Sequence, residues 1–443
     1  MLVAPMAPVL NFLIEGGRPL KGAVTVNRSK NGAVAILCAS LLNRGATTLH
    51  RVPKIEEVYR LVEVLESMGV SARWRGATLT LTPPARLTLS RLNREAARKT
   101  RSIILTLGPL LHRRRTFTLP QSGGCKLGSR TVRPHFYALE KLGVSIKTLP
   151  QSWHIHHRGL RAGREIIMYE SGDTATENAL LAAAGIEGET VIKYASANYM
   201  VQDLCHFLEA LGVHIEGVGT TTLVVRGRKE FRRSVEYTIA EDPTDAMFFL
   251  AAAATTKSAL TIRRAPLHFL ELELAVLEKM GLRFRTGPHY LSENGKTFLT
   301  DLEVFPSRLT APLEKIHARP YPGLNMDNLP FFAVMATQAQ GTTLIHDWVY
   351  EKRALYFTEL DKLGASTTLA DPHRIFIHGP TPLRAAELVC PPALRPATIL
   401  LIAMLAARGT SLLRNVYSIN RGYEDLARRL RCLGARVRVQ KTK

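Results

Sequence analysis

Nowhere does the chain run to the roughly 20 uninterrupted apolar residues that a membrane span needs, so a helical membrane protein is excluded. Cysteine is sparse. Cys38, Cys125, Cys205, Cys390 and Cys432 are scattered, odd in number, and form no Cys-x-x-Cys pair. A disulfide framework and a zinc site are therefore not expected, no other metal-ligand spacing is present, and a reduced, cytoplasmic setting fits. The first 17 residues are apolar but hold Pro5 and Pro8, and no Lys or Arg precedes Arg18. A secretory leader wants a basic start and a small-residue cleavage site, so none is read. Acidic residues are also scarce. There are 37 Asp plus Glu against 59 Lys plus Arg, a formal balance of +22. Such a surface draws anions, whether phosphorylated metabolites, nucleic acid or acidic lipid. The run Arg113-Arg114-Arg115 lacks the interleaved aromatic rings on which single-stranded bases stack, so a nucleic-acid partner is not expected.

The 443 residues, 46% hydrophobic and 22% charged, suit a soluble globular enzyme of two or three domains. Their most informative feature is repetition. Met68-Gly69, Leu142-Gly143, Leu211-Gly212, Met280-Gly281, Leu363-Gly364 and Leu433-Gly434 each close a helical-looking segment, at intervals of 74, 69, 69, 83 and 70 residues. Each pairs an amphipathic helix with a glycine suited to a left-handed helix end, followed by an alternating strand. A second recurring piece is a small-residue apolar helix, as in AVAILCASLLNRGATTL, FFLAAAATTKSALTI and ILLIAMLAARGTSLL. Near-continuous apolarity predicts helices buried on most sides. The units are too long for short solenoid repeats. They predict a pseudosymmetric α/β protein with six units, three in each of two domains.

Two segments carry chemistry. Lys30-Asn31 stands between a short strand and the first buried helix, where a cation and free backbone N–H groups suit a phosphate or carboxylate. SGGCKLGSR, residues 122–130, places Cys125 between Lys126 and Arg130 in a glycine-rich loop. Neighbouring cations favour the thiolate, and the glycines suit a lid that moves.

The repeats, the early Lys-Asn and the Gly-Gly-Cys loop with its arginine resemble the enolpyruvyl transferase family, from about residue 17 to 439. The resemblance implies a two-domain inside-out α/β barrel of six pseudo-repeats with buried helices. It implies one discontinuous domain of residues 1–29 plus 236–443, a second of 30–235 that carries the Cys125 loop, and a substrate cleft between them. The implied reaction moves the enolpyruvyl group of phosphoenolpyruvate to the 3-hydroxyl of UDP-N-acetylglucosamine and releases phosphate, without cofactor or metal. The family's catalytic groups fall on Cys125, the loop proton donor, with Lys30 and Asp327. Its substrate contacts fall on Asn31, Arg101, Arg130, His135, Val349, Arg353, Arg395 and Arg421. Several converging cations make sense for this chemistry, since one substrate carries a carboxylate and a phosphate and the other a diphosphate. The chain departs from the family where an acid gives way to Ala393, where a tryptophan gives way to Leu105, where Gly172-Asp173-Thr174 replaces a Ser-Val-Gly segment with Glu170 just before it, and at Asn420. Two other readings stay open on sequence alone: a divergent homologue with another acceptor or a binding role, and an RNA-end-processing enzyme built on a related repeat. Oligomeric state is not legible.

Overall fold

The computed structural model describes residues 9–121, 123 and 131–442; Cys125 and Arg130 lie outside the described residues. The described strands form six sheets, each of three to five strands. Most neighbours run antiparallel, with parallel pairs such as Thr47–His50 against Val235–Thr238. The six Leu-Gly or Met-Gly steps all behave alike. Gly69, Gly143, Gly212, Gly281, Gly364 and Gly434 take φ values from 86° to 96°, a backbone region in which a side chain would be strained. That regularity is what the repeat in the sequence encodes.

The apolar helices lie inside. Lys30–Ala39 buries every residue from Gly32 onward, Asp173–Ala184 every residue from Ala175 onward, and Pro243–Thr255 and Leu329–Ala336 bury all of theirs. Leu394–Ala406 is buried from Leu394 to Leu405. Alanine-rich faces let helices pack closely and pay little side-chain entropy for burial. Capping fixes two helix starts that matter for the site. The Ser29 hydroxyl accepts from the Gly32 N–H at 2.8 Å, and Asp242 Oδ1 accepts from the Thr244 N–H at 2.8 Å.

Two hydrophobic clusters result. One runs from Ala33 to Ile239, with Phe269 added. The other takes Phe12 to Val26 together with Ala246 to Val437. Strand pairing explains the early residues in the second cluster. Val9–Gly16 pairs with Gly409–Arg414 and Arg436–Thr442, and Lys21–Thr25 runs parallel to Ala259–Ala265. In that cluster the Phe248 ring meets Phe331 at 6.2 Å and Tyr423 at 5.3 Å between centroids, which fixes Tyr423 against two buried helices. No helix among the described residues is long and apolar enough to cross a membrane.

Candidate active site

A cleft of about 520 Å³ opens where the two clusters meet, a size suited to a small substrate. Its lining brings together Lys30, Asn31, Arg101, His135, Asp327, Val349, Arg353, Arg395 and Arg421. These are all the site residues named from the sequence except Cys125 and Arg130. They come from distant stretches of chain, so the fold alone assembles them.

Lys30 opens the helix Lys30–Ala39, with its backbone N–H 3.4 Å from Asp242 Oδ2. Burial pushes its ammonium below the ordinary lysine value. Arg421 and Arg395 push the same way, while Glu57 and Asp327 pull against them. Asn31 Nδ2 donates to the Tyr199 hydroxyl at 3.2 Å.

Arg395, Arg353 and Arg421 are each matched by an acceptor. Arg395, the second residue of the helix Leu394–Ala406, donates to Asp327 Oδ2 at 3.1 Å and to the Tyr423 hydroxyl at 2.8 Å. Burial alone would raise the Asp327 carboxyl, but Arg395, Arg353 and Lys30 outweigh it and hold it below the usual carboxylate range. Asp327 is therefore ionised at neutral pH. Arg353 is buried and paired in a fork with Asp347, Nε to Oδ2 at 2.5 Å and Nη2 to Oδ1 at 2.9 Å. It also donates to the Met326 carbonyl at 2.7 Å and lies 4.1 Å above the Tyr350 ring. The partner is thus Asp347, six residues back, and the helical-looking stretch after Arg353 is a 3-10 helix over Ala354–Leu363. Arg421 Nε stands 3.5 Å from Glu57 Oε2. Glu57 also accepts from the Thr100 hydroxyl, and from that of Ser102 at 2.9 Å. Burial would raise Glu57, yet the charges of Lys30 and Arg421 with these two hydrogen bonds lower it overall.

His135 sits at the cleft edge, 4% exposed. The Gly108 N–H donates to Asn178 Oδ1, which fixes that amide so that Asn178 Nδ2 faces His135 Nδ1 at 2.8 Å. Nδ1 is therefore the acceptor, and Nε2–H points to the Thr174 hydroxyl at 3.3 Å. Val349 is half-buried between Trp348, whose Nε1 donates to the Ala318 carbonyl at 2.7 Å, and Tyr350. In the Gly172-Asp173-Thr174 segment, Asp173 accepts from Ser196 Oγ at 2.6 Å and from Asn198 Nδ2 at 3.3 Å.

Sequence reasoning missed Glu57, Glu177, Tyr199, Asp347 and Tyr423. Glu57 looks like any acid in the first turn of an amphipathic helix. Glu177 did carry a signal: a single carboxyl inside the buried run DTATENALLAAA is costly unless it has a task. Among the described residues, no group of three or more His, Cys, Asp or Glu is placed to hold a metal ion.

Comparison with known proteins shows the family. The chain matches the family of EPSP synthase (3-phosphoshikimate 1-carboxyvinyltransferase) over residues 14–430. It is 33% identical over 429 residues to a UDP-N-acetylglucosamine 1-carboxyvinyltransferase of Treponema denticola, covering 97% of this chain and 99% of that one. The like-named protein of Gloeobacter violaceus is 35% identical over 425 residues, covering 96% and 89%. The enolpyruvyl transferase NikO from Streptomyces tendae superposes with a TM-score of 0.83 at 26% identity, over 99% of this chain and 100% of that one. EPSP synthase from Acinetobacter baumannii, at 17% identity and a TM-score of 0.73 over 98% and 100%, shares the fold. The chain belongs to the enolpyruvyl transferase family, as a divergent member of its UDP-N-acetylglucosamine 1-carboxyvinyltransferase branch.

Proposed function

We propose that the chain transfers the enolpyruvyl group of phosphoenolpyruvate to the 3-hydroxyl of UDP-N-acetylglucosamine and releases phosphate. This is the committing step of peptidoglycan synthesis, and so a cytoplasmic step of cell-wall biogenesis on which cell shape and division depend. The observation that carries the reading is the convergence of Lys30, Arg101, Arg353, Arg395 and Arg421 on one cleft that also holds the ionised Asp327. A dianionic substrate beside a diphosphate needs that many cations, and arginine forks suit both phosphate and carboxylate.

In the proposed sequence, Asp327 accepts the proton of the acceptor hydroxyl as its oxygen bonds to C2 of phosphoenolpyruvate. A proton from Cys125 or Lys30 goes to C3, and a phosphate-bearing ketal forms. The C2–O bond to phosphate then breaks, a C3 proton returns to the enzyme, and the vinyl ether is restored. Carboxylates held low by arginines are weak bases. A bound anion competes for Arg395, so the Asp327 carboxyl regains basicity when the substrate is in place. The cleft then charges its base only when there is something to deprotonate.

The test is phosphate release from phosphoenolpyruvate, with and without UDP-N-acetylglucosamine, in the wild type and in Cys125→Ala. Release that requires the sugar nucleotide and collapses in Cys125→Ala is expected. No release from folded protein, with both substrates present, overturns the proposal.

A further inference from the structure

Resting on that reading of the cleft, we infer that Glu177 is a positioning residue for Lys30: a buried carboxyl group that receives the lysine ammonium within the cleft. Four observations lead there. Glu177 lines the cleft yet is 1% exposed. Its Oε1 is buried with no hydrogen-bond partner. It stands one helical turn beyond Asp173, so both carboxyls point to one face of the helix Asp173–Ala184. Asp173 is already occupied by Ser196 and Asn198, whereas Glu177 is not. A buried polar atom left without a partner costs stability, so its presence at a ligand cleft implies a partner that arrives with function.

The surroundings select which partner. Lys30 lines the same cleft, and its charge acts on Glu177, as do those of Asp173 and Asp203. Glu177 in turn acts on the buried thiols of Cys38 and Cys205. His135, beside them, is turned to Thr174 and Asn178. Lys30 is the cation in this set. Burial, then Asp173 and Asp203, raise the Glu177 carboxyl well above the ordinary glutamate value, against the pull of Lys30. Around Lys30 itself stand Glu57, Asp327, Arg395 and Arg421. Two of these are carboxylates that already offset arginines. A third ionised carboxylate would cancel the field that attracts a dianion, whereas a neutral carboxyl oxygen still accepts from an ammonium.

Binding of phosphoenolpyruvate to the full chain, followed by calorimetry from pH 6.5 to 10, tests this without needing the acceptor. Affinity falls as Lys30 loses its proton. Glu177→Leu keeps the burial and removes the acceptor oxygen, so its alkaline midpoint moves about one pH unit lower, a tenfold weaker affinity above the midpoint. Glu177→Gln keeps a neutral acceptor and restores the wild-type midpoint. Equal midpoints in Glu177→Leu and wild type overturn the inference. So does a Glu177→Gln variant as shifted as Glu177→Leu, because the ionised form would then be the one required. If the wild type binds no phosphoenolpyruvate, the proposed function fails and the inference falls with it.

Discussion

Asp347→Asn isolates one buried charge pair and gives a number to check. The Asp347 side chain is fully buried, and that of Arg353 is 1% exposed. The substitution keeps shape and one acceptor but takes away the carboxylate paired with the guanidinium. Breaking a buried pair from one side costs about 3–5 kcal/mol. The Met326 carbonyl and the Tyr350 ring still face the cation, so the lower end, about 3 kcal/mol, is expected. The Asp347 backbone is held apart from its side chain, by its N–H to the His373 carbonyl at 2.7 Å and its carbonyl to His373 Nδ1 at 2.9 Å. The chain path should therefore survive. For a cooperative unit of this cluster's size, each kcal/mol lowers Tm by about 2–4 °C, so thermal unfolding followed by circular dichroism should show a loss of about 6–12 °C. The double variant Asp347→Leu with Arg353→Met removes both charges, and apolar replacement of a buried pair is commonly neutral. It should regain most of the lost Tm while phosphoenolpyruvate binding stays weak. A single variant that loses under about 2 °C, or a double variant as unstable as the single, refutes the reasoning.

Arg395→Met removes charge-assisted hydrogen bonds worth about 1.5–3 kcal/mol each, so kcat/KM should fall at least about tenfold, whereas Tyr423→Phe removes one neutral acceptor and should cost less than tenfold; steady-state kinetics on the two variants reverses the argument if Tyr423→Phe is the worse. Glu57 gives a pH dependence of known sign. Its folded-state pKa is lowered, chiefly by Lys30 and Arg421 against the opposing effect of burial. Its stabilising contribution is thus present above the unfolded value near 4.5 and is lost as pH falls through the lower folded value. Urea midpoints between pH 3 and 7 should show Glu57→Gln less stable than wild type at neutral pH, with the gap closing below about pH 4.5; a gap that widens in acid contradicts this.

The parts legible in the sequence are those tied to local pattern. Six glycines at helix ends were readable because each needs a left-handed backbone, and this leaves a residue-level mark. The buried helices were readable because alanine-rich runs without a polar stripe have no solvent face to offer. The second repeat hid its inner helix: the stretch is split between Ser102–Thr106, in 3-10 form, and Leu107–Leu110, so no long apolar period appears. The cleft cations were legible through resemblance, since nothing local distinguishes Arg421 from a surface arginine. Their partners were not legible at all. Asp347, Glu57 and Tyr423 acquire meaning only from a neighbour brought close by folding, six residues away for Asp347 and Arg353 and hundreds away for Glu57 and Arg421, so no common spacing marks them.

The same distinction resolves the departures from the family's pattern. At Ala393 the loss of an acid looks, in sequence, like a missing catalytic group. In the fold, Ala393 is fully buried and packs with Tyr350, the ring beneath the Arg353 guanidinium. A carboxylate there would need room and hydration that the packed ring does not leave, and would compete with Asp347 for the same cation. The helix Leu394–Ala406 accordingly starts without a side-chain cap, a loss of about 1 kcal/mol. Asp173 and Glu170 likewise look, in sequence, like two negative charges set against a diphosphate. Both keep their charge, but they sit in different settings. Asp173 is occupied by Ser196 and Asn198 at the head of its helix, while Glu170 is exposed at the cleft mouth, where water and salt screen it. The acid at the mouth is therefore a weak obstacle to an anionic acceptor, and the cations on the floor dominate the field it meets.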